Sequence, residues 1–381
     1  MVSEGGLRAP ERENIDIKSK IFWDVDDLDK EMRRQFDVCH SCRRCFNLCD
    51  SFPKLFDLID EASSMELDTV ESSSFQQVTD ACTLCDMCFM VSCPYVPPHE
   101  FAIDIPSLFI RHKAQNNKHI NFNDKILSKT DSNGKLGNKI SFILNFLLSK
   151  KNKLFRYILE IFMGVDKTVT LPKFNTKTFK QYLNRIISNT KFNKTKHIDK
   201  VVIFSTCYVN YNDANIGKAL IDVLNKNDVY YEEGYTECCK MPQLEQGDVK
   251  TVKLSAEKTA GILRNKIKQG FKVITPIASC ALMLKSHWPL LCPENPDVKL
   301  LSDNTFDVDE YLWDLNHKGK LNRNFRPLKK DITLHTSCHS RAQNVGPKSA
   351  QILSLIPGIK TMNVEKCSGH GGTWGVKKKW N

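Results

Sequence analysis

Eight of the fifteen cysteines fall into two runs, Cys39-x2-Cys42-x2-Cys45-x3-Cys49 and Cys82-x2-Cys85-x2-Cys88-x4-Cys93-Pro94. No other feature constrains the fold as strongly, because thiolates at i, i+3 and i+6 close over one face of a cubane iron-sulfur cluster and a distant fourth thiolate completes the set. Where two such runs occur together, the fourth cysteine of each ligates the other cluster. The spacing therefore predicts one [4Fe-4S] centre on Cys39, Cys42, Cys45 and Cys93, and a second on Cys82, Cys85, Cys88 and Cys49. Structural zinc is the competing chemistry, but it favours two separated C-x2-C pairs per metal, whereas here four cysteines crowd into each run. A chain built this way is expected to carry electrons.

With 381 residues, 41% of them hydrophobic and 26% charged, the chain is long enough for two or three domains and reads as an ordinary globular protein. Cysteines at cluster spacing have to stay reduced until metallated, which predicts a cytoplasmic setting. The segment MVSEGGLRAPERENIDIKSK agrees, having acidic residues and no apolar core of a secretory signal. The net charge of +11 is unevenly spread: residues 1–100 hold 10 basic against 20 acidic side chains, and residues 111–200 hold 20 against 5. The basic stretch carries mostly lysine and no nucleic-acid reading motif, so no nucleic-acid partner is expected.

Four regions follow from the pattern. Residues 1–110 are expected to form an all-helical two-cluster module, with Phe52, Leu55, Phe56, Leu58 and Ile59 on one helix and Pro94, Pro97 and Pro98 fixing the exit from the second run. Residues 111–198 form a basic helical linker with two short apolar stretches, Ile140 to Leu148 and Leu154 to Met163, joined by Ser149-Lys150-Lys151-Asn152-Lys153. Neither reaches the ~18–20 residues needed to cross a bilayer. Apolar residues lie nearly all round each, and the leading expectation is a buried helical hairpin, with a subunit-docking or membrane-surface patch as the alternatives. Lysines at the hairpin tip suit anionic headgroups, which would place the chain on the cytoplasmic face of the inner membrane.

Residues 199–330 and 331–381 read as a full and a partial α/β domain. Val201 to Phe204 leads to Cys207, Val229 to Tyr231 to Cys238-Cys239, Phe271 to Ile274 to Cys280, and Ile332 to Leu334 to Cys338, so each strand delivers a cysteine past its C-terminal end. Ligands of open parallel sheets gather at that edge, and these thiols are expected to converge there. Ala214 to Lys226 and Thr251 to Gln269 have the length of crossover helices. Order and spacing repeat, with 31 residues from Cys207 to Cys238 and 29 from Cys338 to Cys367, although Ser368 stands where the first copy has Cys239. A vicinal pair such as Cys238-Cys239 can span an irregular cluster or form a strained redox disulfide. Cys292 lies off the repeat register and reads as a small buried residue. His339 and His370 flank repeat cysteines and read as structural or cluster-supporting histidines, while His40 lies within the first run.

Cys207-x30-Cys238-Cys239-x40-Cys280 resembles the cysteine-rich CCG domain of heterodisulfide reductase catalytic subunits, of glycolate oxidase iron-sulfur subunits and of electron-transfer subunits of anaerobic glycerol-3-phosphate dehydrogenase. CHSCRRCFNLCDSFPKLFDLID, CTLCDMCFMVSCPYVPPHE, HTSCHSRAQ and KCSGHGGTWGVKKKW are similar to the helical ferredoxin and tandem CCG segments of the last family. The resemblance implies that Cys207, Cys238, Cys239 and Cys280 hold a third, noncubane [4Fe-4S] cluster. Against the family pattern, Met283 replaces the last thiol of a C-x2-C, Lys240 replaces the glycine after the vicinal pair, and Ser368 breaks the second pair. The second half, left with Cys338 and Cys367, is expected to hold no cluster, and the resemblance implies further sequence after Asn381.

No G-x-G-x-x-G fingerprint, P-loop or acid/base dyad is evident, so the organic chemistry is expected in a partner. The resemblance implies a subunit of anaerobic respiration that passes electrons from a flavoprotein dehydrogenase, oxidising glycerol-3-phosphate, to quinone, a membrane-anchored partner or another carrier. The alternatives are a heterodisulfide-reductase-like catalytic thiol/disulfide subunit and the iron-sulfur subunit of a lactate or glycolate oxidase.

Overall fold

A computed structural model describes residues 10–189, 197–369 and 373–377. His370 falls outside the described residues. The chain combines helices with parallel sheet, as the sequence pattern predicts.

The first helix, Val25–Cys42, starts where the Asp24 side chain accepts from the Asp27 N–H, and it buries Leu28, Met32 and Phe36 at four-residue intervals. It stops at Arg43, whose φ of 50° turns the chain back toward its own thiols. Helices Ser51–Asp60, Phe75–Asp80 and Ile105–Gln115 close around it, and the Phe36 ring meets Phe75 and Phe109 edge-on at 5.1 and 6.0 Å. Within Ser51–Asp60, Phe52, Leu55, Phe56 and Ile59 are buried.

Strands β1 (Asp199–Ile203), β2 (Val229–Glu233), β3 (Lys272–Thr275) and β4 (Thr305–Asp307) form one parallel sheet in the order β2-β1-β3-β4. Successive side chains point to opposite faces. Val202, Tyr230 and Val273 join one core, while Val201, Ile203, Tyr231 and Ile274 join another beneath helices Phe179–Asn189, Ala214–Lys226 and Val308–His317. The first core runs without a break from the sheet into the N-terminal helices, through Trp288 and Leu244 to Phe36 and Phe56. Hydrophobic burial therefore fixes the two cysteine-bearing regions against each other.

Strands β5 (Lys330–His335) and β6 (Ile359–Val364) pair in parallel as a separate two-stranded sheet. They repeat the β1–β2 unit, with Cys338 after β5 as Cys207 follows β1, and Cys367 after β6 as Cys238 follows β2. Because β5 bonds to β6 and not to β4, the two copies have separate carboxyl edges. The expected convergence of Cys338 with Cys207, Cys238 and Cys280 is thereby corrected.

The linker also departs from the leading expectation. Its apolar stretches form helices Ser141–Leu147 and Lys153–Met163, but they are not buried: Phe142 is 88% exposed, Leu154 72% and Phe162 70%. Helix Lys153–Met163 turns its polar side inward, with Arg156 1% and Glu160 7% exposed. The reason lies in the following loop. Arg156 donates to the carbonyls of Asp166 and Val169, and Glu160 accepts from the Lys167 N–H, so hydrogen bonds rather than apolar contact dock this helix. Among the described residues no helix is long and apolar enough to cross a membrane.

Candidate functional site

All fifteen thiols are free, and twelve of them gather in three groups of four. Cys39 and Cys42 end helix Val25–Cys42, Cys45 follows in the next turn, and Cys93 comes across from the second run. The four line one opening with Phe52, Phe56 and Ile103. Burial pushes the Cys45 thiol up to about 11, with Cys93 and Cys42 adding to it, and it pushes Cys39 further.

Cys49, Cys82, Cys85 and Cys88 line a second opening against Ile105 and Phe109. Leu84 and Asp86 take φ values of 49° and 60°, so the backbone alternates its hand between the cysteines. Such alternation directs successive N–H groups into one concavity that suits an anion. The Leu84 N–H lies 3.4 Å from Cys82 Sγ, and the Tyr95 N–H makes the same contact with Cys93. Burial moves Cys82 up to about 12 and Cys49 up to about 11.

The third group sits at the carboxyl edge of the four-stranded sheet. Cys207 follows β1, Cys238 and Cys239 follow β2, and Cys280 lies in helix Ala278–Leu282 after β3. Cys207 touches Cys238, and Cys239 touches Cys280. Neighbouring thiols donate to Cys238, which lowers its pKa well below the usual value, whereas Cys207 and Cys239 are raised. Lys240, standing where the resembling family has glycine, adopts the φ of +67° that glycine takes without strain, and its N–H lies 3.4 Å from Cys238 Sγ. Met283 is fully buried in the core.

Several residues that sequence reasoning did not single out complete this site. Asp131, in the first turn of helix Thr130–Lys139, accepts the Cys238 N–H at 2.6 Å and the Tyr235 hydroxyl. Thr130 Oγ1 lies against Cys207 and Cys238. The helix can approach this closely because Gly134 faces the Tyr211 ring, which a Cβ would strike. Trp288 Nε1 donates to the Cys239 carbonyl at 3.1 Å. Nothing local in the sequence marks these residues, since each arrives from a distant element. Replacing Asp131 by alanine leaves two buried donors unmet and is expected to cost about 1–3 kcal/mol in a denaturant titration, with Asp131→Asn, which keeps one acceptor, losing less.

Asp86, 2% exposed between Cys85 and Cys88, pairs with Arg12 at 2.9 Å and lies 3.4 Å from His287 Nε2. Burial works against its charge, but Arg12 and then His287 overcome it and hold the carboxyl below its ordinary range. Cys338 does not join the third group: it touches Cys85 and Cys367. His339 packs near His287 and Asp86, pushed down to about 4 chiefly by burial. Cys292 is buried with its sulfur against the Lys253 carbonyl, and His40 lies half-buried on the Arg43 guanidinium.

The family model described as "CCG: Cysteine-rich domain" matches residues 201–285, the segment that carries the third group. The chain is 28% identical over 257 residues to a subunit of the anaerobic glycerol-3-phosphate dehydrogenase of Escherichia coli K12, covering 67% of this chain and 63% of that protein. It is 30% identical over 191 residues to lactate utilization protein A of Bacillus pumilus, covering 47% of this chain and 75% of that protein, and 28% identical over 188 residues to the Bacillus cytotoxicus protein of the same name. The match thus spans somewhat under two thirds of the glycerol-3-phosphate dehydrogenase relative. No solved structure matches. With this likeness across three quarters of lactate utilization protein A, the chain belongs to the same protein family as that protein, and it carries a CCG cysteine-rich domain at residues 201–285.

Proposed function

We propose that the chain is an iron-sulfur electron-transfer subunit, with one [4Fe-4S] cluster on Cys39, Cys42, Cys45 and Cys93, another on Cys49, Cys82, Cys85 and Cys88, and a noncubane cluster on Cys207, Cys238, Cys239 and Cys280. The observation that carries this reading is the gathering of twelve thiols into three groups of four. The donor set fits such a group. Crowded, desolvated thiols raise one another's pKa and ionise together only against strong positive charge, which iron provides. Backbone N–H groups lie against Cys82, Cys93 and Cys238, as anionic cluster sulfur requires.

When bound, the clusters supply one-electron redox centres, so that electrons pass from a flavoprotein dehydrogenase to quinone or another carrier. The chain's own residues exclude water from the thiols through Phe52, Phe109 and Trp288, hold the vicinal pair through Asp131 and Trp288, and keep one compensated carboxylate, Asp86, beside Cys85. The glycerol-3-phosphate dehydrogenase relatives favour glycerol-3-phosphate as the ultimate donor, and the lactate utilization relatives favour lactate. Anaerobically purified protein is expected to be brown, to bleach with dithionite, and to be reduced by one of those substrates through its own flavoprotein dehydrogenase. A colourless preparation that takes up no electrons from dithionite would sink the proposal.

A further inference from the structure

Three buried hydroxyls stand at the carboxyl edge of the four-stranded sheet, where the third thiol group gathers, and none finds an oxygen or nitrogen partner among the described residues. Ser205, 1% exposed, precedes Cys207 by two residues and caps nothing, although helix Thr206–Tyr211 starts beside it. Thr275, fully buried, ends β3. Two residues beyond Val273, it points to the same face of the sheet, the one whose core takes in Cys238, Cys239 and Cys280. Thr130 opens helix Thr130–Lys139, and its hydroxyl lies against the sulfurs of Cys207 and Cys238. The nearby carboxylate is already engaged, because Asp131 accepts from the Cys238 N–H and the Tyr235 hydroxyl. Thr206, between Ser205 and Cys207, takes a φ of 75°, which a β-branched residue adopts only where its surroundings impose it. Native proteins leave few buried hydroxyls unmet, and three at one edge call for acceptors that the polypeptide does not supply.

We propose that Thr130, Ser205 and Thr275 donate hydrogen bonds to the sulfur of the cluster held by Cys207, Cys238, Cys239 and Cys280, and so set its potential. These roles rest on the third cluster of the electron-transfer reading and name what tunes it. Reduction adds negative charge to such a centre, and a hydrogen bond to its sulfur strengthens as that charge arrives. Each donor therefore makes the third centre easier to reduce. Thr130 lies outside residues 201–285, on a helix that Gly134 lets approach the Tyr211 ring, so the linker supplies a donor that the cysteine-rich domain itself lacks. Ser205 and Thr275 belong to the domain and stand at the ends of adjacent strands, β1 and β3. The two N-terminal groups show no equivalent, since the contacts to Cys82 and Cys93 come from the backbone N–H groups of Leu84 and Tyr95.

The test is an EPR-monitored redox titration of the anaerobically purified holoprotein, with iron counted in every sample. At a fixed ambient potential, Thr130→Val should lower the reduced-to-oxidised ratio of the third centre by about threefold to tenfold, the worth of one hydrogen bond. Thr130→Ser, which keeps the hydroxyl and loses the methyl, should titrate with the wild type. Ser205→Ala and Thr275→Val delete hydroxyls that bond to nothing in the protein, so they leave the packing in place and read the same effect if Thr130→Val takes up iron poorly. The variant lacking all three hydroxyls should shift the ratio by at least about tenfold, equal to about 59 mV for one electron, while the two N-terminal centres titrate unchanged. Iron-replete variants that titrate with the wild type overturn the assignment. Thr130→Ser falling with Thr130→Val also overturns it, since packing and not the hydroxyl would then matter. A wild type with about eight irons and no third signal instead removes the cluster beneath it.

Discussion

Replacing Cys239 by serine should take the anaerobically purified chain from about twelve irons to about eight, with acid-labile sulfide falling in step. Cys239 is almost fully buried and touches both Cys238 and Cys280, so its sulfur stands between the two halves of the third group. A serine oxygen is a harder and less readily ionised ligand than a thiolate, and no reserve thiol is at hand, since the sequence has methionine at 283. The other two groups draw their ligands from the N-terminal module and should keep their irons. EPR of the oxidised protein should lose a signal that the N-terminal clusters do not give. About eight irons in both proteins would mean that Cys207, Cys238, Cys239 and Cys280 hold no metal, and that the CCG half serves as a scaffold.

The N-terminal thiol groups are legible in the sequence because the i, i+3, i+6 spacing is local, and the sharing of a fourth cysteine between runs follows from a general rule. The structure seats Cys93 with the first run and Cys49 with the second. Strands β1, β2 and β3 are legible as short apolar runs, and helix Ala214–Lys226 matches its expected ends because Asp213 caps it and Asn227 stops it. Strand β4 has only three residues, Thr305–Asp307, and β6 mixes Lys360, Thr361 and Asn363 into its run, so neither carries a clear period-two signal.

The orientation of helix Lys153–Met163 escapes the sequence for a physical reason. Periodicity locates an apolar stripe, but it does not say whether the stripe faces the protein's own core or something outside it. Arg156 and Glu160 decide the matter by bonding to a loop ten or so residues on, a pairing the helix sequence does not announce. Cys338 ends at a different edge from the one expected because strand grammar gives each strand's end and not its sheet, and β5 pairs with β6. Lys240 shows the reverse case: the family's glycine position keeps its left-handed backbone although the residue differs, so surrounding contacts hold a conformation that the residue itself disfavours by roughly 1–2 kcal/mol.

Arg12→Met should destabilise the chain by about 3–5 kcal/mol at neutral pH, because it strands a buried carboxylate. Arg12, 9% exposed, donates to both Asp86 and Asp104 and lies 4.2 Å from the centre of the Phe89 ring, so it closes the N-terminal segment over the second thiol group. His287 is the weaker partner, since burial opposes its protonation. The pH dependence distinguishes this account from a loss of packing. In the wild type Asp86 is held below its ordinary pKa, so its contribution is present above the unfolded value, about 4, and is lost as pH falls. Without Arg12 the same burial should raise the carboxyl, so the folded variant keeps its proton and becomes less stable as pH rises. The two stability curves, measured by denaturant titration of the proteins between about pH 4 and 8, should therefore lie closest at the acid end and diverge toward neutrality. Arg12→Met/Asp86→Asn, which removes both charges, should recover most of the loss at pH 7. A deficit that is constant across pH and persists in the double variant would mean that Arg12 acts through its stem on Phe89 rather than through its charge on Asp86.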